Sequence, residues 1–235
     1  MTASPAYVSP NYDARPDGMQ IDMIVLHYTG MESAEVALER LCDPTASVSA
    51  HYLIEEDGRL HRLVDDRFRA WHAGVSFWQG LSGVNGCSIG IELVNRGHEF
   101  GYRAFPDAQM VALEALVSVL MAKYQIAPSR VVGHSDVAPT RKQDPGELFD
   151  WNRFAALGVG LAVPVGGEFT DETPIDDHSE LMGLLRQIGY DLEVPQAALG
   201  AFQRHFRPAM INGIVDQGTL AAARFVAQQV AQEMA

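Results

Sequence analysis

The chain has 235 residues, 47% of them hydrophobic, which suffices for one large domain or one domain with a small companion. Thirty acidic against seventeen basic residues give a formal charge of −13, which excludes a sequence-independent grip on nucleic acid and disfavours anionic membranes. No stretch reaches the roughly 20 apolar residues of a membrane span, and Cys42 and Cys87, with no C-x-x-C spacing, read as small buried hydrophobes or free thiols.

Residues 1–20 are rich in Pro, Asn, Asp and Gly without periodicity and predict an extended lead-in along the surface. Met1–Pro5 lacks a basic segment followed by an apolar one, so no secretory signal is visible. This reads as a cytoplasmic chain; the alternative is a periplasmic or outer-membrane-associated protein whose leader lies upstream. Met23-Ile24-Val25-Leu26 is a strand buried on both faces, ending abruptly at His27-Tyr28-Thr29-Gly30. His27 is then either a functional group at a strand's carboxyl end or a strand-end histidine bonded to a carbonyl.

Ser33 caps a helix to about Leu41, stopped by Asp43-Pro44. His51–Ile54 and Leu60–Val64 form a hairpin around Glu56-Asp57-Gly58. The aromatic and glycine-rich stretch from Arg69 to Gly86 reads as a binding loop or a packed surface loop. Cys87–Val94 is a second strand in which Glu92 either works, is paired, or faces water. A helix from Pro106-Asp107 to about Tyr124 carries a core stripe of Met110, Leu113, Leu116, Val117, Leu120 and Met121.

After a short strand, Arg130–Val132, comes a proline-stiffened loop from Gly133 to Gly146. His134 and Asp144 are ten positions apart, so a loop folding back on itself must bring them together. An imidazole and a carboxylate so placed are typical zinc ligands, and a catalytic zinc takes three protein ligands plus water. The third must come from elsewhere, with a candidate near the start of the chain. Phe149–Phe154 begins a last helical element, and residues 161–174 read as a linker. Amphipathic stretches at 178–188, 196–206 and 217–233 then form a small helical module, where His178 and His205 have no partners at ligand spacing and read as surface groups.

Five pieces taken together resemble the zinc-dependent N-acetylmuramoyl-L-alanine amidases of the type-2 amidase fold: Val25–Thr29, Ser49–Ile54, Trp71–Gly74, Ser88–Asn95, and Gly133–Asp136 with Arg141–Gly146. The resemblance covers roughly residues 20–155. Ala201–Phe206 and Val215–Leu220 look, more loosely, like a three-helix peptidoglycan-binding domain. The implied fold is α/β, a mixed central β-sheet flanked by helices, with a small all-α C-terminal domain. The implied division is a catalytic domain over 1–160, a linker over 161–174 and the helical domain over 175–235.

Carried over by position, the resemblance implies one Zn²⁺ per chain held by His27, His134 and Asp144. Glu92 matches the acid/base that takes a proton from water and returns one to the departing amine, and Lys142 the cation beside the metal. Tyr28, Thr29, His51, Trp71, His72, Asn95 and Arg141 would line the groove. The implied reaction is hydrolysis of the amide between the lactyl group of N-acetylmuramic acid, 1,6-anhydro forms included, and L-alanine of the stem peptide. Partners would be peptidoglycan fragments. Some relatives use a cysteine as third ligand and a tyrosine where Ala50 stands; here Asp144 replaces the thiolate, so Glu92 must carry the proton work, as in the branch acting on recycled wall fragments. A non-catalytic peptidoglycan-recognition module is the competing reading.

Overall fold

An uninterrupted apolar run short of helical length can satisfy its backbone groups and bury both its faces only inside a sheet, and Met23 to Leu26 is completely buried. The computed structural model describes residues 7–233; the reading of Met1–Pro5 lies outside them. Along the chain run β1 (Tyr12–Ala14), β2 (Met23–Tyr28), α1 (Ala34–Cys42), β3 (Tyr52–Ile54), β4 (Leu60–Arg62), β5 (Phe68–Ala70), β6 (Phe77–Trp78), β7 (Leu81–Ser82), β8 (Ser88–Leu93), α2 (Gly97–Phe100), α3 (Asp107–Tyr124), β9 (Val131–Gly133), α4 (His134–Val137), α5 (Trp151–Ala156), α6 (Ser179–Ile188), α7 (Pro195–Phe206) and α8 (Gln217–Glu233). They form two compact units: residues up to Gly74 with Gly83–Ile126, and Val75–Ser82 with Ala127 onward.

In the first unit the central sheet runs β4-β3-β8-β2. β2 and β3 lie parallel to β8, and β4 is antiparallel to β3, so the sheet is mixed, flanked by helices as expected. Ser33 caps α1 by accepting the Val36 N–H, and Ala37, Leu38 and Leu41 pack against Leu53, Leu63 and Val94. On α3, Met110, Leu113, Val117 and Leu120 are buried, while Leu116 and Met121 stay half-exposed at the edge of the stripe. A polar residue joins that face: Gln109 is buried and donates from Nε2 to the carbonyls of Ile54 and Val94, tying β3 to the end of β8. Cys42 and Cys87 are free thiols.

The expected irregular lead-in is more ordered than its composition indicates. β1 pairs antiparallel with β5, Tyr12 opposite Ala70. Arg15 then donates to the carbonyls of Asp66, Asn85, Gly86 and Ser88. Three residues are too few to show an alternating pattern, and the pairing depends on partners 54 to 58 residues away.

In the second unit, β6 and β7 form a hairpin whose turn residues Gln79 and Gly80 both have positive φ, the geometry that matches strand twist in two-residue loops. The helical module has its own core, with Leu181, Leu185 and Ile188 of α6, Leu199 and Phe202 of α7, and Val226 and Val230 of α8 buried. Arg207 and Asp216 form a buried pair at 2.6 Å, supported by Thr219. Leu161 and Val163 in the stretch leading to the module are also buried.

Candidate metal centre and active site

Strand register sets the first half of the site. In parallel strands, paired residues share a face, so His27 on β2 and Glu92 on β8, directly opposite each other, project side by side at the sheet's carboxyl end. His27 is buried and Glu92 half-buried. Two residues back on the same face of β8 lies Gly90, and the His72 ring occupies the space above it. A Cβ there would stand 2.3 Å from the His72 ring, so only glycine admits the imidazole. His72 Nδ1 is 3.0 Å from His27 Nε2, and His72 Nε2 is 3.1 Å from the Ser88 hydroxyl. His72 therefore steadies the His27 ring.

The second half comes from the loop after β9. His134 opens α4, and its Nδ1 is 3.0 Å from Asp144 Oδ2. Their backbones are joined as well, the Ser135 N–H donating to the Asp144 carbonyl at 2.8 Å. Gly133 permits this closure, because a Cβ would stand 2.7 Å from Pro145 Cδ. Between the two, Arg141, Lys142 and Gln143 are exposed, with Arg141 donating to the Val75 carbonyl.

Among the described residues, His27, His134 and Asp144 form a buried group whose ligand atoms all lie within 4.8 Å of one another. Atoms bound to one tetrahedral zinc at about 2.0–2.2 Å stand roughly 3.4 Å apart. Two imidazoles and one carboxylate at this spacing fit such an ion.

The residues expected to line a groove divide into two sets. Tyr28, Thr29, Trp71 and His72 are half-buried and Arg141 is exposed. The Tyr28 hydroxyl donates to His98 Nδ1 at 2.8 Å, and Tyr102 stacks on His98, giving that histidine a place the sequence did not indicate. His51 and Asn95 do not fit the expectation. Asn95 is buried, donating to the Arg103 carbonyl and accepting the Gly97 N–H, while Thr29 Oγ1 bonds its backbone. His51 is wholly buried: Nδ1 accepts the Gly90 N–H at 2.9 Å and Nε2–H donates to the Phe68 carbonyl at 3.1 Å. Both belong to the supporting structure, because their ring and amide groups are spent on backbone.

Burial, with the Arg15 guanidinium alongside, pushes the His51 pKa down to about 4. The folded value lies below the unfolded one of about 6.5, so the unfolded chain binds the extra proton and stability falls as pH drops below that value. Between pH 7 and pH 4.5 this one group should cost roughly 2–3 kcal/mol. Urea unfolding at both pH values should show that loss in the wild type and a smaller one in His51→Asn; equal losses would refute the buried neutral assignment.

Asp136, two residues past His134, was given no role by the sequence, and His205 was read as a surface group. The structure corrects the second reading. His205 is buried between Trp151 and Phe206, stacked on both, and donates from Nδ1 to Asp136 Oδ2 at 2.8 Å. Its partner lies 69 residues away, beyond any spacing rule.

A parallel-rich sheet with an imidazole and a carboxylate at adjacent strand ends, and a cation-sized nest of buried ligands, defines a hydrolytic α/β enzyme. Comparison with known proteins narrows the class. The sequence profile of the N-acetylmuramoyl-L-alanine amidase family matches residues 17–147. The N-acetylmuramoyl-L-alanine amidase AmiD of Escherichia coli is 36% identical over 239 residues, spanning 91% of this chain and 85% of its own. The 1,6-anhydro-N-acetylmuramyl-L-alanine amidase AmpD of Haemophilus influenzae is 38% identical over 164 residues, 62% of this chain and 87% of its own. The structure of E. coli AmiD in complex with anhydro-N-acetylmuramic acid-L-Ala-D-γ-Glu-L-Lys superposes with a TM-score of 0.81 at 35% identity, covering 92% of both chains. That of AmpDh3 from Pseudomonas aeruginosa with an anhydromuramic pentapeptide gives 0.79 at 29% identity, covering 100% of this chain and 98% of that one. The chain belongs to the N-acetylmuramoyl-L-alanine amidase family and is an amide hydrolase.

Proposed function

We propose that this enzyme cleaves the amide between the lactyl group of N-acetylmuramic acid and L-alanine of the stem peptide, with 1,6-anhydro-muropeptides as its substrates in peptidoglycan recycling. The observation that carries this is the pairing of His27 with Glu92 across β2 and β8, beside the ligand group completed by His134 and Asp144. The likeness over nearly the whole chain to two amidases bound to anhydromuramyl peptides supports the substrate.

In this reading His27, His134 and Asp144 hold one Zn²⁺, which when bound polarises the scissile carbonyl and acidifies water. Glu92 takes a proton from the attacking water and passes one to the amine as it leaves, so the carboxylate ends the cycle as it began. Its strand position fixes it against drift. Lys142, two residues before Asp144, sets an ammonium against the charge developing on the carbonyl oxygen. Tyr28, Thr29, Trp71 and Arg141 line the groove that receives the sugar and peptide. Residues 175–235 form the peptidoglycan-binding-like domain, and 161–174 lead into it. No helix among the described residues is long and apolar enough to cross a membrane.

Purified zinc-loaded enzyme incubated with defined anhydro- and reducing-end muropeptides, read by mass spectrometry, should release free stem peptide from the anhydro form, and a chelated control should not. Cleavage of that form alone supports a cytoplasmic recycling role. Equal cleavage of intact sacculi would replace it with wall degradation outside the cytoplasm.

A further inference from the structure

The helical module reaches the metal-binding loop through a buried carboxylate. Asp136 is 1% exposed and receives three donors: the Gly133 N–H at 2.8 Å and His205 Nδ1 at 2.8 Å on Oδ2, and the Tyr190 hydroxyl at 2.6 Å on Oδ1. Gly133 directly precedes His134, so this carboxylate locks the turn that aims the His134 ring. Two of its three donors come from the module, Tyr190 just after α6 and His205 on α7.

Both donors are held rigidly. Tyr190 is 1% exposed, edge-on to Trp78 at 5.0 Å, and the preceding Gly189, at φ 139°, leaves no room for a Cβ beside Gln79 and Trp78. The Gln79 N–H donates to the Gly189 carbonyl. At the other end of the loop's approach, the Glu233 carboxylate of α8 accepts the Ser129 N–H in the turn that leads into β9. The module thus grips the metal loop before its strand and at its first helical turn.

We propose that the helical module is a brace for the metal centre, with His205 and Tyr190 as positioning residues that act on His134 through Asp136. A carboxylate buried with three donors is costly to leave short of one, so losing either side chain lets the turn at Gly133–Asp136 relax and the His134 ring wander. This role is distinct from holding wall polymer. It rests on the proposed ligand set.

The test is the rate at which the zinc-loaded enzyme loses its metal to an excess of chromogenic chelator, with kcat and KM on a small soluble muropeptide. His205→Ala and Tyr190→Phe should release zinc roughly 3- to 30-fold faster and lower kcat more than they raise KM. His205→Asn, which keeps a donor near the Nδ1 position, should recover release to within about 3-fold of the wild type. Arg224→Ala, which breaks only the exposed pair with Glu180, should change neither. Tyr190→Phe removes one hydroxyl and decides the matter alone if His205→Ala does not fold. Wild-type release rates in both variants, with only the unfolding temperature lowered, would overturn the brace. A wild-type enzyme that holds no stoichiometric zinc would overturn the ligand assignment itself, and the brace with it.

Discussion

Glu92→Gln should reduce kcat on an anhydro-muropeptide by about 10³-fold, within the range set by a lost general acid–base. Zinc content should be unchanged and KM should stay within roughly threefold, because the amide keeps the side chain's shape and loses only its basicity. The strand-fixed setting of Glu92 makes the expectation sharp. It pairs with His27 in the interior register of β2 and β8, which holds the two side chains next to each other at the sheet's carboxyl end. Steady-state kinetics with metal analysis on the same preparation separates the outcomes. Retention of a tenth or more of wild-type kcat would remove Glu92 from the proton transfers.

Asp144→Ala should instead fail at the metal. Asp144 supplies the carboxylate of a set whose other two members are imidazoles, and it also stands against His134 at 3.0 Å. Its loss should cut activity by at least about 10³-fold, since Lewis-acid stabilisation supplies several kcal/mol and each 1.36 kcal/mol is tenfold. The variant should come off the column with well under one zinc per chain, and added zinc should recover only a small part of the rate. Wild-type enzyme stripped by chelator should lose turnover and regain it on zinc addition. A full complement of zinc in Asp144→Ala would show that another residue completes the site. Glu92→Gln and Asp144→Ala together distinguish a missing proton carrier from a missing cation.

Much of this site is legible in one dimension because its parts sit inside strong local signals. His27 follows a four-residue apolar run, and Glu92 interrupts another; both runs are strands, and both residues fall at their carboxyl ends. His134 and Asp144 bracket a loop whose glycine and prolines dictate that it fold back. Gly90 illustrates the limit. In the sequence it is a small residue in a strand, and only the packed His72 ring shows why no side chain fits there.

His51 and Asn95 were expected in the groove because they belong to motifs that resemble the family's site. Motif membership does not say which way a side chain points, and in the fold their hydrogen bonds go to backbone. Arg15 was missed for the converse reason. It sits in a stretch with no periodicity, and its acceptors lie 51 to 73 residues away.

The chain's own order of residues thus determined the main strands, the helices, the hairpin and the acidic character, since each follows from local apolar period, turn residues or composition, while the roles proposed for His27, Glu92, His134 and Asp144 rest on the resemblance to the family. Tertiary structure alone decided which histidines are structural. His51 and His205 have the same chemistry as His27 and His134, and what separates them is the partner each finds across the fold. It alone also decided that the helical module touches the metal loop, because a bond between residues 136 and 205 leaves no trace in the sequence near either one.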